Sequence, residues 1–358
     1  MKGYEWQKKT YNLWAETGFK GMMYVKPSGG KTRGACMAIK DYLEVFGKSI
    51  IYICAPSDAI LSQWESYLIE YSIDAELMTY FGALKKFNKG ELCDLLILDE
   101  CHAVNSEVQG KVLDFNVPHV LGLSGTPSGS DKKIGPIFLT VGWDEVNIAP
   151  TTIHYITFKP TYEEMENYNK WTRKAESFKA GNSWANFKNS PELQMIYFNR
   201  RRASYRMASR LPIALELIKY HQGERMMVFC ELTKQVKDLS KLLSKNKIPH
   251  CVHITGKEEL DKFKDGEFDI ILSVKMVSEG FSDPSISCGI AVSSASSERS
   301  HIQEIGRIIR PNEGKVSNVY ALIADGTTDD KIIKSNDFTK DNIIVLEWDE
   351  WKKSKEVD

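Results

Sequence analysis

The residues best suited to chemistry fall in two short runs. In the first, Tyr24-Val25-Lys26-Pro27-Ser28-Gly29-Gly30-Lys31-Thr32 leaves an apolar stretch and enters one of helical spacing. Such a loop can aim backbone N–H groups at phosphate oxygens, and the dipole of the helix that follows favours negative charge at its start. Gly29 and Gly30 let the backbone approach a ligand closely, with Ser28 beside them in the loop. Lys31 is placed to reach β- and γ-phosphates and the Thr32 hydroxyl to hold a metal, so ATP with Mg²⁺ is the expected cofactor pair. The pattern G-x-x-x-x-G-K-[ST] is incomplete, because Val25 stands at its first glycine. A plain glycine turn is the alternative. The second run, Leu95-Leu96-Ile97-Leu98-Asp99-Glu100-Cys101-His102, is an apolar strand ending in two adjacent carboxylates. At the carboxyl end of a parallel strand, where α/β proteins bind ligands, these groups open beside the phosphate loop. Asp99 can hold Mg²⁺ there, and Glu100 can take a proton from an attacking water. Acidic residues opening a surface loop are the plainer reading, but the pair occurs with a G-K-T loop in one domain, which weighs against it.

The elements that must position these groups follow from the apolar spacing. In the first half, short apolar runs alternate with amphipathic stretches, the pattern of a parallel sheet with helical crossovers. Strands are expected at Met22–Val25, Ser49–Cys54, Glu76–Tyr80, Leu95–Leu98 and His119–Leu123, with helices over Lys31–Phe46 and Ala59–Tyr71. After Pro150 the pattern restarts, with strands at Thr152–Phe158, Met226–Cys230, His250–Ile254, Ile270–Val274, Cys288–Val292 and Asn318–Ile323. Helices are expected over Glu231–Ser244 and Glu298–Ile309. Two α/β domains result, 1–149 and 150–358, the second carrying a helical insertion over about 162–220 where no run is strand-like. Asp341–Trp348 reads as a last edge strand, followed by a charged tail (Lys352, Lys353, Lys355, Glu356) expected to fray.

Composition narrows the class. A chain of 358 residues has room for two compact domains. Its formal charge of -1 argues against a passive nucleic-acid coat, which needs a strongly basic balance, but a motor with a local basic track remains open. The seven cysteines are scattered, without C-x-x-C spacing, and most sit in apolar runs as small core hydrophobes. That pattern suits a reducing compartment and carries no zinc signature. His250 and His253 flank Cys251 without further ligands at zinc spacing, so they read as packed or solvated. No signal-peptide stretch follows Met1, and no uncharged apolar run could span a bilayer; a cytoplasmic location is expected.

With both runs in view, the chain resembles the superfamily 2 helicases over nearly its whole length. Asp99-Glu100-Cys101-His102 looks like their Walker B box in its D-E-x-H form. Ala55-Pro56-Ser57 with Gln63-Trp64 resembles motif Ia, Thr79-Tyr80-Phe81-Gly82 recurs before the acidic box, and Leu123-Ser124-Gly125-Thr126-Pro127 is similar to motif III. In the second half, Met227-Val228-Phe229-Cys230 resembles motif IV and Ser278-Glu279-Gly280-Phe281-Ser282-Asp283-Pro284 motif V. Gln303-Glu304-Ile305-Gly306-Arg307-Ile308-Ile309-Arg310-Pro311 resembles motif VI. Motif V departs from the family pattern at Val274, where a threonine is usual, and at Ser282, with Asp283 one position late.

The resemblance implies two tandem RecA-like P-loop domains with parallel sheets. It implies a nucleic-acid-dependent ATPase motor, a helicase or translocase. It places Gln7 at the adenine, Glu279 and Gly280 at the nucleotide, and Gln303, Arg307 and Arg310 among the catalytic groups. It also gives His102 a role in linking the ATP site to motif III. For Arg307 and Arg310 the plainer reading is a surface salt bridge or, for Arg310, a helix C-terminus. The forms of motifs III and VI lean toward DNA motors, with likeness to compact phage recombination and branch-migration helicases and to excision-repair and RecG-like translocases. An RNA helicase and an ATP-gated clamp that attaches without unwinding stay open, and a protein partner could set substrate choice. The insertion adds basic residues (Lys170, Arg173, Lys174, Lys179, Lys188, Arg200, Arg201, Arg202, Arg206, Arg210) among aromatics (Tyr168, Trp171, Phe178, Trp184, Phe187, Tyr197, Phe198). These either grip nucleic acid or form a core with a solvated face.

Overall fold

A computed structural model describes residues 4–126, 129–180, 190–274, 283–293, 305–334 and 342–355. The chain divides into two compact units, one built on Met1–Ile148 and the other on Ala149–Ser278 with Asp283–Asp358.

The first unit holds six strands: β1 (Lys20–Val25), β2 (Ile51–Ala55), β3 (Glu76–Thr79), β4 (Leu95–Asp99), β5 (His119–Ser124) and β6 (Ile137–Val141). They pair in the order β3-β2-β4-β5-β1-β6, all parallel. Every residue of β2 and β4 is buried. Successive side chains of a strand point to opposite faces, so both faces of the sheet are covered, as a parallel sheet requires. Four helices do much of this work: α1 (Glu5–Ala15), α2 (Lys31–Phe46), α3 (Asp58–Tyr71) and α4 (Tyr80–Phe87). Trp14 of α1 is buried and its indole N–H donates to the Val120 carbonyl at 3.1 Å, tying α1 to β5.

Register brings the two reactive strand ends level. Asp99 of β4 lies opposite Leu123 of β5, and Leu123 lies opposite Met23 of β1. The acidic strand end and the loop after Val25 therefore leave the same edge of the sheet. β3 stops one residue short of the expected Tyr80, because the Thr79 side chain accepts the Gly82 N–H at 3.2 Å and caps α4. Helix α1 and strand β6 were not legible in the apolar pattern.

The second unit is an eight-stranded sheet: β7 (Thr151–Phe158), β8 (Met226–Cys230), β9 (Cys251–Ile254), β10 (Lys257–Glu258), β11 (Ile270–Val274), β12 (Cys288–Ala291), β13 (Ser317–Ala324) and β14 (Ile343–Glu347). The order is β10-β9-β11-β8-β12-β13-β7-β14, parallel except for the β10–β9 pair. Among the described residues, three helices lie between β7 and β8: α5 (Tyr162–Ala180), α6 (Pro191–Tyr205) and α7 (Arg210–Tyr220), with α5 packed on α6. Pro191 opens α6 behind the Ser190 hydroxyl, which accepts the Leu193 N–H. Helix α8 (Thr233–Lys245) follows β8. The expected helix over Glu298–Ile309 is described only at its end, where residues 305–308 are helical.

The tail corrects an expectation. Rather than fraying, Trp348–Lys355 forms helix α9, with Lys352, Lys353 and Lys355 in its last turn; Glu356 lies outside the described residues. Trp351 anchors it: the side chain is buried, stacks on Trp348 at 5.2 Å and meets Tyr220 edge-on at 5.3 Å. Such aromatic burial outweighs the solvation of Lys352 and Lys353, which stay exposed, while Lys355 lies over the Tyr220 ring at 4.9 Å. All seven cysteines are buried and none is in a disulfide. His250 bonds Ser240 at 2.8 Å and His253 is buried in β9. No helix among the described residues is long and apolar enough to cross a membrane.

Candidate active site

The phosphate loop joins β1 to α2 through an unusual backbone. Ser28 (φ 65°) and Gly30 (φ 81°) both take left-handed conformations, and no side chain caps α2 at Gly30. Left-handed turns between right-handed ones curl successive N–H groups inward, which makes an anion-binding concavity at a helix start. Gly29 has no room for a side chain: a Cβ there would lie 2.6 Å from Val25 Cγ1 and 2.7 Å from Val146 Cγ1. This accounts for Val25 in the place of the first glycine, since its buried side chain fills the space that Gly29 leaves.

Gln7 reaches the loop from α1. Its Nε2 donates to the Gly30 carbonyl at 3.0 Å and its Oε1 accepts the Tyr4 N–H at 2.9 Å, in a setting only 2% exposed. A carboxamide has two donors and two acceptor lone pairs, so these bonds leave one of each for a nucleobase edge. Trp6 packs on the first turns of α2, where a Cβ on Gly34 would come within 2.7 Å of its ring.

Lys31 crosses to the end of β4. Its ammonium is bonded to Glu100 Oε1 and stands 3.5 Å from Asp99 Oδ1. Glu100 can face the lysine because its own backbone is left-handed (φ 49°), turning the chain sharply off the strand. Burial works against charge on both groups. The neighbouring carboxylates outweigh it at Lys31, whose pKa is raised above the usual lysine value. At Glu100, Lys31 and His102 outweigh it and hold the carboxyl well below the usual carboxylate range. Glu100 is thus kept ionised.

Among the described residues, Glu100 Oε2 and His102 Nδ1 are buried polar atoms without a hydrogen-bond partner, although they stand 3.3 Å apart. Leaving such an atom unsatisfied costs about 1–3 kcal/mol. Their orphaned state, beside a left-handed loop at a helix start, fits a site that receives a polar ligand such as a nucleotide phosphate with its cation. Thr32 sits half-buried as the second residue of α2. Ser124 Oγ donates to the Thr126 carbonyl at 2.7 Å at the end of β5, both residues being buried.

Asp99 is held by groups whose roles the sequence did not disclose. Its Oδ2 accepts the Trp64 indole N–H at 3.0 Å, its Oδ1 the Glu100 N–H at 2.9 Å, and its carbonyl the Tyr80 hydroxyl at 3.0 Å. Trp64 and Tyr80 fall in runs that resemble family motifs, but nothing local signals which carboxylate they meet.

Arg307 and Arg310 belong to the second unit and are half-buried, around the end of the helical turn 305–308. That end is stapled by Lys315, whose ammonium donates to the carbonyls of Ile308 (2.5 Å), Arg310 (2.9 Å) and Pro284 (3.0 Å). Burial, helped by Arg310 and opposed by Asp283, brings the Lys315 pKa down to about 8. Gln303, Glu279 and Gly280 lie outside the described residues, as do Pro127, Trp184, Phe187 and Lys188.

The basic insertion separates into two groups. Arg210 is fully buried and is no candidate for a nucleic-acid contact. All its N–H directions are used: Ser204 carbonyl and hydroxyl, the Val292 and Leu322 carbonyls, and an ion pair with Asp329. Several aromatics are likewise structural. Tyr168 is buried and accepts the Thr328 N–H at 2.9 Å, and Trp171 packs against the core. Arg200 lies over the Tyr197 ring at 5.1 Å and Lys174 over Trp171 at 4.6 Å. By contrast, Arg201, Arg202 and Arg206 are exposed and make no ion pair among the described residues, and Phe198 is exposed on the same helix.

Comparison with known proteins bears on this geometry. Residues 209–312 match the helicase conserved C-terminal domain. Over 91% of its length the chain is 23% identical to the DNA 3'-5' translocase XPB2 of Sulfurisphaera tokodaii, spanning 82% of that protein. It is 24% identical over 63% of its length to the DNA repair helicase/translocase XPB-R of Trypanosoma brucei brucei, of which it spans 29%. Among solved structures, S. cerevisiae Dbp5 bound to RNA and ADP BeF3 matches 99% of the chain and 93% of its own, with a TM-score of 0.66 at 15% identity. The fold is the RecA-like helicase fold. The two sequence relatives carry the names of a DNA 3'-5' translocase and a DNA repair helicase/translocase, so the expected likeness to phage branch-migration helicases is not supported.

Proposed function

We propose that this chain is a nucleic-acid-dependent ATPase motor that translocates on or remodels DNA. The observation that carries the reading is the Lys31–Glu100–Asp99 cluster at the mouth of a left-handed phosphate loop, in a chain whose second unit matches a helicase domain.

The loop N–H groups and the start of α2 hold the triphosphate. Lys31 exchanges its bond to Glu100 for β- and γ-phosphate oxygens, which frees that carboxylate. Glu100, kept ionised, accepts the proton of the attacking water. Thr32 and Asp99 would hold Mg²⁺, which when bound neutralises phosphate charge. Gln7 meets the adenine edge through the donor and acceptor it retains, with Glu279 and Gly280 as further nucleotide contacts. Arg307 and Arg310, with Gln303, are the groups proposed to stabilise the charge that develops in hydrolysis, an effect worth ~10³–10⁵ in rate where an arginine does this in GTPases. DNA is favoured over RNA because the similar proteins are DNA translocases. The seven buried thiols fit a reducing cytoplasm, and a protein partner is proposed to set the preferred substrate.

ATP turnover measured with no polymer, single-stranded DNA, duplex DNA, forked DNA and RNA tests the proposal. Stimulation by one or more DNA forms, with little by RNA, is expected. Turnover indifferent to every polymer would remove the motor reading, and stimulation by RNA alone would move the substrate.

A further inference from the structure

Asp99 is gripped more tightly than a metal ligand at a strand end requires. An indole N–H is a single donor with no acceptor capacity, so its bond fixes direction. Trp64 is fully buried in α3, which leaves its ring no freedom to turn away from Asp99 Oδ2. Tyr80, also fully buried, holds the Asp99 carbonyl from the first turn of α4, its hydroxyl donating at 3.0 Å. The terminal torsion of an aspartate is otherwise broad and roughly two-fold. With Oδ2 taken by the indole, Oδ1, which also accepts the Glu100 N–H at 2.9 Å, is the oxygen turned to Lys31.

We propose that Trp64, with Tyr80 behind it, is a positioning residue that locks the Asp99 carboxylate so that Oδ1 alone faces the cation of the bound nucleotide. This rests on the reading of Asp99 as the metal carboxylate. The physical consequence concerns metal affinity rather than phosphate grip. Partners that orient metal-binding groups cost about ten- to a hundredfold in metal affinity when removed, whereas the loop and Lys31 hold phosphate without them.

The test is equilibrium binding of a fluorescent ATP analogue to the full chain, titrated with Mg²⁺ and repeated in chelator. Trp64→Phe keeps the ring and removes the donor. It is expected to raise the Mg²⁺ midpoint about ten- to a hundredfold while leaving affinity in chelator unchanged. An unmoved midpoint, or an equal loss of affinity with and without metal, overturns the proposal. If Trp64→Phe does not fold, Tyr80→Phe carries the test; it is expected to shift the midpoint the same way, and no shift overturns the clamp. Asp99→Asn separates the two levels. Should that variant keep the wild-type midpoint, the metal reading of Asp99 itself fails and the clamp with it. Should it lose the Mg²⁺ response while Trp64→Phe keeps it, only the clamp fails.

Discussion

Lys31 and Glu100 form one electrostatic unit, so their substitution should not give one phenotype. Lys31 is the phosphate ligand of the proposed mechanism, and Glu100 accepts a proton without holding the nucleotide. Lys31→Ala removes a charge-assisted bond worth roughly 1.5–3 kcal/mol, about ten- to a hundredfold in ATP affinity. Glu100→Gln is expected to bind ATP at least as well as the parent, since Lys31 is then released to phosphate, and to hydrolyse it hardly at all. Nucleotide titration and single-turnover hydrolysis on both proteins check this. Near-normal turnover in Glu100→Gln would move the general base elsewhere.

At the scale of the element, α5 to α7 show why a basic stretch cannot be read as one surface. Helix periodicity sends Arg201 and Arg202 outward while Arg210, at the start of α7, points into the core. Breaking the buried pair of Arg210 and Asp329 strands a charge without water, at a cost of about 3–5 kcal/mol. Arg210→Met should therefore lower thermal stability sharply. Arg201→Ala with Arg202→Ala should leave melting and basal ATPase unchanged and flatten the salt dependence of DNA binding, by ~0.7–0.9 in slope for each phosphate no longer neutralised. If the double variant keeps the parental slope, α6 presents only a solvated face.

For the whole molecule, the residues proposed to hold ATP and those proposed to speed its hydrolysis come from different units: Lys31, Thr32, Asp99 and Glu100 from the first, Arg307 and Arg310 from the second. Arg307→Ala is accordingly expected to keep ATP affinity within a few-fold and to lower kcat by ~10³ or more, the scale of a missing arginine in GTPases. A parallel loss of binding and turnover, with lowered melting, would instead make Arg307 a structural residue. The net charge of -1 is consistent with nucleic acid being met by a local track such as α6 rather than by a global field.

The amino-acid sequence alone determined where the loop before Lys31 and the acidic strand end lie, and most of the elements. Helix Lys31–Phe46 and strands Met226–Cys230 and Ile270–Val274 lie where apolar spacing puts them, because periodicity and breaker residues act over a few neighbours. Tertiary structure alone decided the order of the strands, with β5 between β4 and β1. It also decided that Gln7 latches onto Gly30, that Trp64 and Tyr80 grip Asp99, and that Arg210 is a core residue rather than a DNA contact. Helix α9 belongs with these, since only the packing of Trp351 keeps a lysine-rich tail folded. A side chain's type states what it can donate, accept or charge. Its partner is chosen by segments far away along the chain, through packing that no local pattern records.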